Sequence, residues 1–172
     1  MTGEERRSRI LQKLMESDEP MSGTALARAF YVSRQVIVQD IALIRAERHD
    51  IMSTNKGYMC RNAQADPAFP KRVFFVKHTA EQVMEEFLTV IELGGRVLDV
   101  AVEHELYGQL RVDLLIESRQ DAMMFFQKLS SCRDNPLSVL TDGCHYHTVS
   151  APSEKLLDLI ENELRQKGLL LP

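Results

Sequence analysis

Two histidines in the last third of the chain, His145 and His147, have the spacing of paired metal ligands. Alternate residues of a β-strand point to the same side of a sheet, so both imidazoles would face one way and Tyr146 the other. Two convergent imidazoles make half of a transition-metal site, with bonds of roughly 2.0–2.2 Å. Two sheet-surface histidines that share no ligand have the same spacing, so the motif by itself leaves both interpretations open.

A third histidine and a carboxylate could complete such a site. His78 stands where a predicted strand passes into a predicted helix, and Glu86 follows just over two helical turns later. Three imidazoles and one carboxylate would form a mixed nitrogen and oxygen site, which suits Zn, Ni and similar divalent ions. In the alternative, Glu86 belongs with Glu81 and Glu85 to the solvated face of an ordinary helix, and spacing does not decide between the two.

The two remaining histidines have less specific positions. His104 ends a predicted strand, where it could contact a bound effector, support a metal ligand or cap the strand. His49 follows a predicted helix, where a positive charge is favourable. Nothing in the sequence resembles a phosphate-binding loop, a nucleophile elbow or a deaminase motif, so no catalytic residue is predicted.

The stretch 22–48 has the pattern of a helix-turn-helix, which places a recognition helix in the major groove of DNA. Ser22 and Ser33 have side chains that cap helices, and the apolar residues up to Ile44 recur at helical spacing. We therefore predict a recognition helix at 33–48. Its N-terminal end carries side chains that bond phosphates or base edges, namely Ser33, Arg34, Gln35 and Gln39.

Elements on either side of this stretch complete a winged helix. A first amphipathic helix is predicted at 4–16. Residues 51–61 are predicted as two short strands joined around Gly57, because glycine permits the positive φ that a hairpin turn needs. Lys56, at the tip of this wing, is a candidate phosphate contact. We place the DNA-binding domain at 1–62.

The segment 63–70 contains two prolines and few apolar residues, and we predict that it is a linker. Predicted strands and helices alternate through 71–172. This order favours an α+β fold, in which a ferredoxin-like α/β sandwich has its helices on one face of a mostly antiparallel sheet.

Three local patterns carry the details of this second domain. The unbroken apolar run at 73–76 predicts a buried strand, and Leu98, Val100 and Val102 alternate in the next strand. Asp142 and Gly143 form a dipeptide typical of hairpin turns, which predicts paired strands at 137–141 and 144–149.

Composition and charge limit the class of protein. The 172 residues suffice for one ordinary domain or two small ones, and 44% hydrophobic with 27% charged residues is typical of a globular protein. The net charge of −4 is unevenly shared, because residues 1–62 carry +2 and the rest carries −6, and phosphate attraction depends on the local field. No apolar run is long enough to cross a bilayer, and the 3 cysteines form no CxxC pair, so a cytoplasmic protein is expected.

Both halves of the chain resemble known families. The winged helix with SRQVIVQDIALIRAE is similar to the biotin-repressor-type helix-turn-helix family. The second half resembles the three-histidine (3H) domain in the segments RVFFVKHTAEQV, DVAVEH and LTDGCHYHTV. The combination resembles bacterial niacin-responsive transcriptional repressors.

This resemblance implies a repressor of NAD-synthesis or niacin-uptake genes, with nicotinic acid as its co-repressor. It also implies that a divalent transition metal, Ni or Zn, is held in a regulatory and dimerisation domain at 71–172. The implied metal ligands are His78, Glu86, His145 and His147, and His104 is the remaining histidine of the 3H name. We expect a homodimer on double-stranded operator DNA, because two recognition helices roughly 34 Å apart match a palindromic site.

Two other functions stay open at this point. The ion itself could be the signal of a metal-responsive repressor, or the four ligands could activate water in a metal-dependent hydrolase with Glu81 or Glu85 as base. The hydrolase is the weaker alternative, because the sequence offers no defined loop for an electrophile. We therefore expect a regulator that is not an enzyme.

Overall fold

The computed structural model describes residues 1–47, 51–60 and 69–172. The chain divides into two compact units, Met1–Pro67 and Ala68–Pro172, which are treated separately below. Three predicted features lie outside the described residues. They are Arg48 at the end of the predicted recognition helix, His49 after it, and most of the predicted linker at 63–70. No helix in the described ranges is both long and apolar enough to cross a membrane.

The described residues of the N-terminal unit form three helices and a two-stranded hairpin, in the order that the sequence predicts for a winged helix. Helix α1 spans Gly3–Met15, α2 spans Gly23–Phe30 and α3 spans Arg34–Glu47. Strands β1 (Ile51–Ser53) and β2 (Tyr58–Cys60) pair antiparallel and form the wing.

Local side-chain chemistry sets the ends of these helices and the turn of the wing. Ser22 Oγ accepts a hydrogen bond from the N–H of Ala25, and Ser33 Oγ accepts one from the N–H of Val36, as predicted for N-caps. Gly57 is required where it stands, because a Cβ added there would lie 2.3 Å from the carbonyl oxygen of Met21.

One apolar cluster holds the N-terminal unit together, and α3 contributes its inner face to it. Asp40 on α3 is also buried, and its carboxylate accepts two hydrogen bonds from the guanidinium of Arg6 on α1. A buried carboxylate is tolerated when it is paired in this way. The buried members of the cluster are Ile10, Leu14, Leu26, Ala27, Ile37, Ile41, Ile44, Ile51 and Cys60.

The C-terminal unit has four strands and three helices. Its strands are β3 (Lys71–Lys77), β4 (Arg96–His104), β5 (Gly108–Ile116) and β6 (Cys144–Ser150). Its helices are α4 (Val83–Glu92), α5 (Arg119–Ser131) and α6 (Glu154–Gln166), and short 3-10 helices occupy Ala80–Gln82 and Leu137–Thr141.

The strands form one antiparallel sheet in the order β3-β6-β4-β5. The connection through α4 passes over β6, and the connection through α5 passes over β4, so two split βαβ units interlock. A single core lies between the sheet and the three helices, and no helix among the described residues of this unit packs on the other face of the sheet. The α+β class and the winged helix-turn-helix are therefore confirmed.

The predicted strand at 137–141 is wrong. Leu137–Thr141 forms a 3-10 helix, which ends at Asp142 with φ 53°. The reason lies in the sheet: β6 already pairs with β3 on one side and with β4 on the other, so no free edge is left for a hairpin partner.

Two details of strand burial also differ from prediction. The run at 73–76 is not buried throughout, because β3 is an edge strand with one covered face: Phe74 and Val76 point into the core, whereas Val73 is 60% exposed. In β4, a shift of register near Asp99 brings Val97 rather than Leu98 into the core.

Candidate metal centre

His145 and His147 lie on the helix-covered side of the sheet. They are alternate residues of β6, and they pair across the sheet with Val76 and Phe74, whose side chains belong to the core. Each of the two histidines is 3% exposed. Both imidazoles therefore face the same way, into the space under α4 and not into solvent.

His78 and Glu86 approach this pair from the other side of that space. His78 follows the last residue of β3, and a reciprocal capping box between Thr79 and Gln82 starts the chain into α4. Glu86 is 2% exposed and points inward, whereas Glu81 and Glu85 are exposed. Glu86 is thus not part of the solvated face of its helix.

The four side chains bring their ligand atoms together. One ligand atom from each of His78, Glu86, His145 and His147 lies within 4.8 Å of all the others. Glu86 Oε2 is 2.6 Å from Nε2 of His78 and 3.6 Å from Nε2 of His147, and the Nε2 atoms of His145 and His147 are 3.1 Å apart. Ligands of a tetrahedral ion, bound at about 2.0–2.2 Å, are separated by roughly 3.3–3.6 Å, so small side-chain shifts would bring all four onto one ion.

Each imidazole is oriented by a backbone carbonyl on its outer side. The Nδ1 atoms of His78, His145 and His147 lie 2.8, 2.9 and 2.5 Å from the carbonyl oxygens of Thr79, Gly143 and Asp99. A carbonyl oxygen can only accept, so Nδ1 carries a proton, and Nε2 faces the cluster, where it can bind an ion once the ring is neutral. This is the arrangement that metal-binding histidines usually have.

The buried atoms at the centre are not satisfied by the protein alone. His78 Nε2 and Glu86 Oε2 are buried without a hydrogen-bond partner, since their 2.6 Å contact lacks the alignment of a hydrogen bond. Buried polar groups without partners are rare in folded proteins. A divalent cation would satisfy these atoms and would separate the facing imidazole nitrogens, so the residues present fit a metal ion.

Electrostatics in the cluster favour a bound cation or protons. Burial lowers the pKa of His145 to about 4. Burial also lowers the pKa of His78 and His147, but the Glu86 carboxylate outweighs it, so both pKa values are raised. Burial raises the pKa of Glu86, yet the two imidazoles beside it hold that pKa well below its usual range. Protons balance the carboxylate, and a metal ion would displace them.

The residues predicted to contact DNA lie at the surface of the N-terminal unit. Four of them stand on or next to the first turns of α3, and all four are exposed: Ser33, Arg34, Gln35 and Gln39. Lys56 lies in the turn of the wing and is half-buried. A recognition helix with polar residues at its exposed N-terminal end is suited to the major groove.

Comparison with known proteins identifies a known domain in each of the two units. Residues 71–172 match the 3H domain, and residues 6–59 match an HTH domain. The chain belongs to the 3H-domain family. Over 168 residues this 3H protein is 39% identical to the probable transcription repressor NiaR of Thermotoga maritima. The matched region covers 98% of this chain and 94% of that relative. Over 172 residues it is 37% identical to the transcription repressor NadR of Bacillus subtilis, which covers 99% and 96%.

The 3H protein is therefore a DNA-binding transcription repressor and not an enzyme, because relatives that span nearly the whole chain are repressors. The hydrolase alternative is set aside on this ground. The regulatory ligand is not part of either relative's name.

The hydrogen bonds of His104 are not with the four residues of the cluster. Its Nδ1 accepts the backbone N–H groups of Leu106 and Tyr107 at 3.2 and 3.3 Å, so the ring caps the turn between β4 and β5. Of the three roles open from the sequence, these contacts are those of a structural cap. A contact between His104 and an effector stays a prediction.

Asp99 is a residue of this site that the sequence pattern did not identify. Its carbonyl oxygen lies against Nδ1 of His147, and its carboxylate is 2% exposed within the otherwise apolar run 97–102 of β4. The only signal in the sequence is an acidic residue between Leu98 and Val100, where a buried strand favours apolar side chains.

Proposed function

We propose that this 3H protein represses genes of NAD synthesis or niacin uptake, with nicotinic acid as a co-repressor that is sensed at a metal centre formed by His78, Glu86, His145 and His147. The observation that carries the proposal is the cluster in which the Nε2 atoms of three imidazoles and one buried carboxylate converge. A bound divalent ion, Ni or Zn, would supply a Lewis-acid position that accepts a pyridine nitrogen or a carboxylate. Nicotinic acid has both groups.

We further propose that two copies of the chain bind one operator. Arg34 and Gln35 would read base edges, Ser33 and Gln39 would bond phosphates or bases, and Lys56 would contact a phosphate from the wing. A homodimer with recognition helices roughly 34 Å apart matches a palindromic operator. The protein would act in the cytoplasm, where its operator DNA is.

The effector must bind the DNA-competent arrangement more tightly than the alternative, because only a differential affinity changes operator occupancy. Coupling of this kind typically amounts to about 1–3 kcal/mol, or roughly 5- to 150-fold in operator affinity. The same factor must appear when nicotinic acid binding is measured with and without operator.

Fluorescence anisotropy with labelled operator DNA tests the effector. Saturating nicotinic acid should tighten operator binding by a factor in that range on the metal-loaded protein. Benzoic acid, which lacks the ring nitrogen, and nicotinamide, which lacks the carboxylate, show which group is recognised. An operator affinity that nicotinic acid leaves unchanged would refute the assigned effector.

The role of the metal is tested with the double variant H145A/H147A. This variant should lose the response to nicotinic acid while it keeps the basal affinity for DNA, because the winged helix is a separate compact unit. Chelation of the wild-type protein should have the same effect, and adding the ion back should restore the response. A double variant with a normal response would rule out the metal centre as the sensor.

A metal-responsive repressor is the second candidate, since the same cluster would serve it. The two candidates differ in what the ion does: it is a fixed part of an effector site in one and the signal itself in the other. Titration of operator binding with Ni²⁺ or Zn²⁺, with and without nicotinic acid, separates them. A full response to the ion alone favours the metal-responsive repressor.

A further inference from the structure

Asp99 connects β4 to a ligand of the metal centre through both its main chain and its side chain. Its carbonyl oxygen lies 2.5 Å from Nδ1 of His147. Its carboxylate accepts the N–H of Thr148 at 2.9 Å and is paired with the guanidinium of Arg111. A carboxylate that is 2% exposed is costly unless such partners hold it.

The register of the sheet explains how one residue reaches both faces. Val97 pairs with Val149 on the core side, but Ala101 pairs with Tyr146 on the side without helices, so β4 shifts register between them. A β-bulge of this kind frees main-chain groups from the ladder. Here the freed carbonyl of Asp99 turns to the His147 ring.

The carboxylate lies on the opposite side of the sheet from that ring. Arg111 pairs with Ala101 and therefore shares its face. The Arg111 guanidinium also donates to Thr148 Oγ1, and Thr148 alternates with His147 along β6. The ion pair thus clamps the bulge from the face that carries no helix.

The three histidines differ in how they depend on tertiary structure. His78 bonds the carbonyl of the next residue, Thr79, and His145 bonds that of Gly143, two residues away. The partner of His147 is 48 residues away in the sequence. The position of that carbonyl is set by the bulge and by whatever holds the bulge in place.

We propose that Asp99 is the positioning residue of the metal centre. Clamped by Arg111 and Thr148, it holds its own carbonyl against Nδ1 of His147, which fixes the proton there and directs Nε2 at the other ligands. Asp99 itself does not touch the ion. This inference rests on the metal centre proposed above.

Binding of Co²⁺ to the full-length protein tests the proposal through the absorption bands of the ion. D99A should weaken Co²⁺ affinity by about 10- to 100-fold, as loss of an outer partner of a metal ligand typically does, and should change the band pattern. D99N keeps an oxygen for the Thr148 N–H and should lose less than about tenfold. The matched control is D113N, which removes the acidic residue directly opposite Asp99 and should bind Co²⁺ as the wild type does.

A second variant guards against a misfolded D99A. Arg111 has a side chain that is 51% exposed, so R111M removes the clamp with little disturbance of packing and should give an intermediate loss of Co²⁺ affinity. Wild-type affinity and bands in both D99A and R111M would overturn the proposal. The proposal would also be overturned if the loss of Co²⁺ affinity merely paralleled a loss of thermal stability and the absorption bands stayed unchanged.

A measurement on the metal-free protein separates this proposal from the metal centre itself. Long-range ¹H–¹⁵N NMR spectra at alkaline pH report which ring nitrogen of His147 carries the proton. The proton should be on Nδ1 in the wild type and D113N, and shared between both nitrogens in D99A. If the wild type binds no Co²⁺, the metal centre fails, while an unchanged tautomer in D99A refutes the role of Asp99.

Discussion

The proposed DNA-reading surface and the proposed metal centre of this repressor are built in opposite ways. Arg34 and Gln35 are exposed neighbours on one end of α3, and they come from one continuous stretch of chain. The four proposed metal ligands place one ligand atom each within 4.8 Å of the others, and they come from the end of β3, from α4 and from β6. One region is a surface that a helix presents, and the other exists only when a sheet and a helix pack.

This difference predicts different responses to substitution. Exposed side chains without shared partners contribute almost independently, so their losses add. Buried groups in mutual contact act as a unit, and removal of one leaves the others unsatisfied. Changes at the reading surface should therefore be graded, whereas changes of the four metal ligands themselves should be nearly all-or-none.

The largest effect should follow removal of metal. An ion that binds only the folded unit at 100 times its Kd stabilises that unit by about 2.7 kcal/mol. Chelation should therefore speed hydrogen exchange in β6 and α4 by up to about 100-fold where exchange requires unfolding of the unit, and should leave exchange in α3 unchanged. Mass spectrometry of the exchanged peptides measures both units in one experiment.

The H145A/H147A variant is the control for that experiment, and exchange in its β6 should not respond to added metal. Acceleration in α3 equal to that in β6 would contradict the separation of the two units. No change in β6 of the wild type would argue against a bound ion.

The same contrast explains what the sequence could predict. The capping serines Ser22 and Ser33 and the alternation of His145 with His147 are local patterns, and each appears in the structure where the sequence places it. The hydrogen bond from His147 Nδ1 to the carbonyl oxygen of Asp99 joins residues that are 48 positions apart. Its geometry depends on a β-bulge that residue spacing does not predict.

The strand wrongly predicted at 137–141 also failed because tertiary structure, and not a local sequence pattern, decides the outcome there. Asp142 and Gly143 do adopt positive φ, as the turn signal requires. The signal, however, contains no information on whether β6 has an edge to offer, and both of its edges are taken. A local turn was correctly predicted, and a tertiary constraint decided what preceded it.

The next largest effect should come from the reading surface. R34A should weaken operator binding by about 1–3 kcal/mol and relax the preference at one base pair, because a base contact is lost. K56A should weaken operator and random DNA alike and reduce the salt dependence of log K by about 1, because a phosphate contact is lost. Anisotropy titrations on both DNAs over a range of salt measure this. Equal losses for R34A on both DNAs would make Arg34 a phosphate contact.

The smallest effect compares one backbone position in each unit. Among the described residues, Tyr31 (φ 56°) and Asp142 (φ 53°) are the non-glycine residues with positive φ. This region is unfavourable for a bulky side chain, and aspartate tolerates it better. Tyr31 is 95% exposed, so Y31G gives up almost no burial and should raise the free energy of unfolding of the N-terminal unit by about 0.5–1 kcal/mol. Urea denaturation followed by circular dichroism measures the change.

D142G is the matched variant in the C-terminal unit, and its gain should be smaller than that of Y31G because less strain is relieved. A larger gain for D142G would mean that side-chain type does not set the cost at these turns. Tyr31 stands immediately before the segment that carries Ser33 and Arg34. The operator affinity of Y31G is therefore a second measurement. An unchanged affinity would mean that Tyr31 has no part in DNA binding. A weaker affinity in a more stable protein would mean that the backbone strain is retained to keep the ring against DNA.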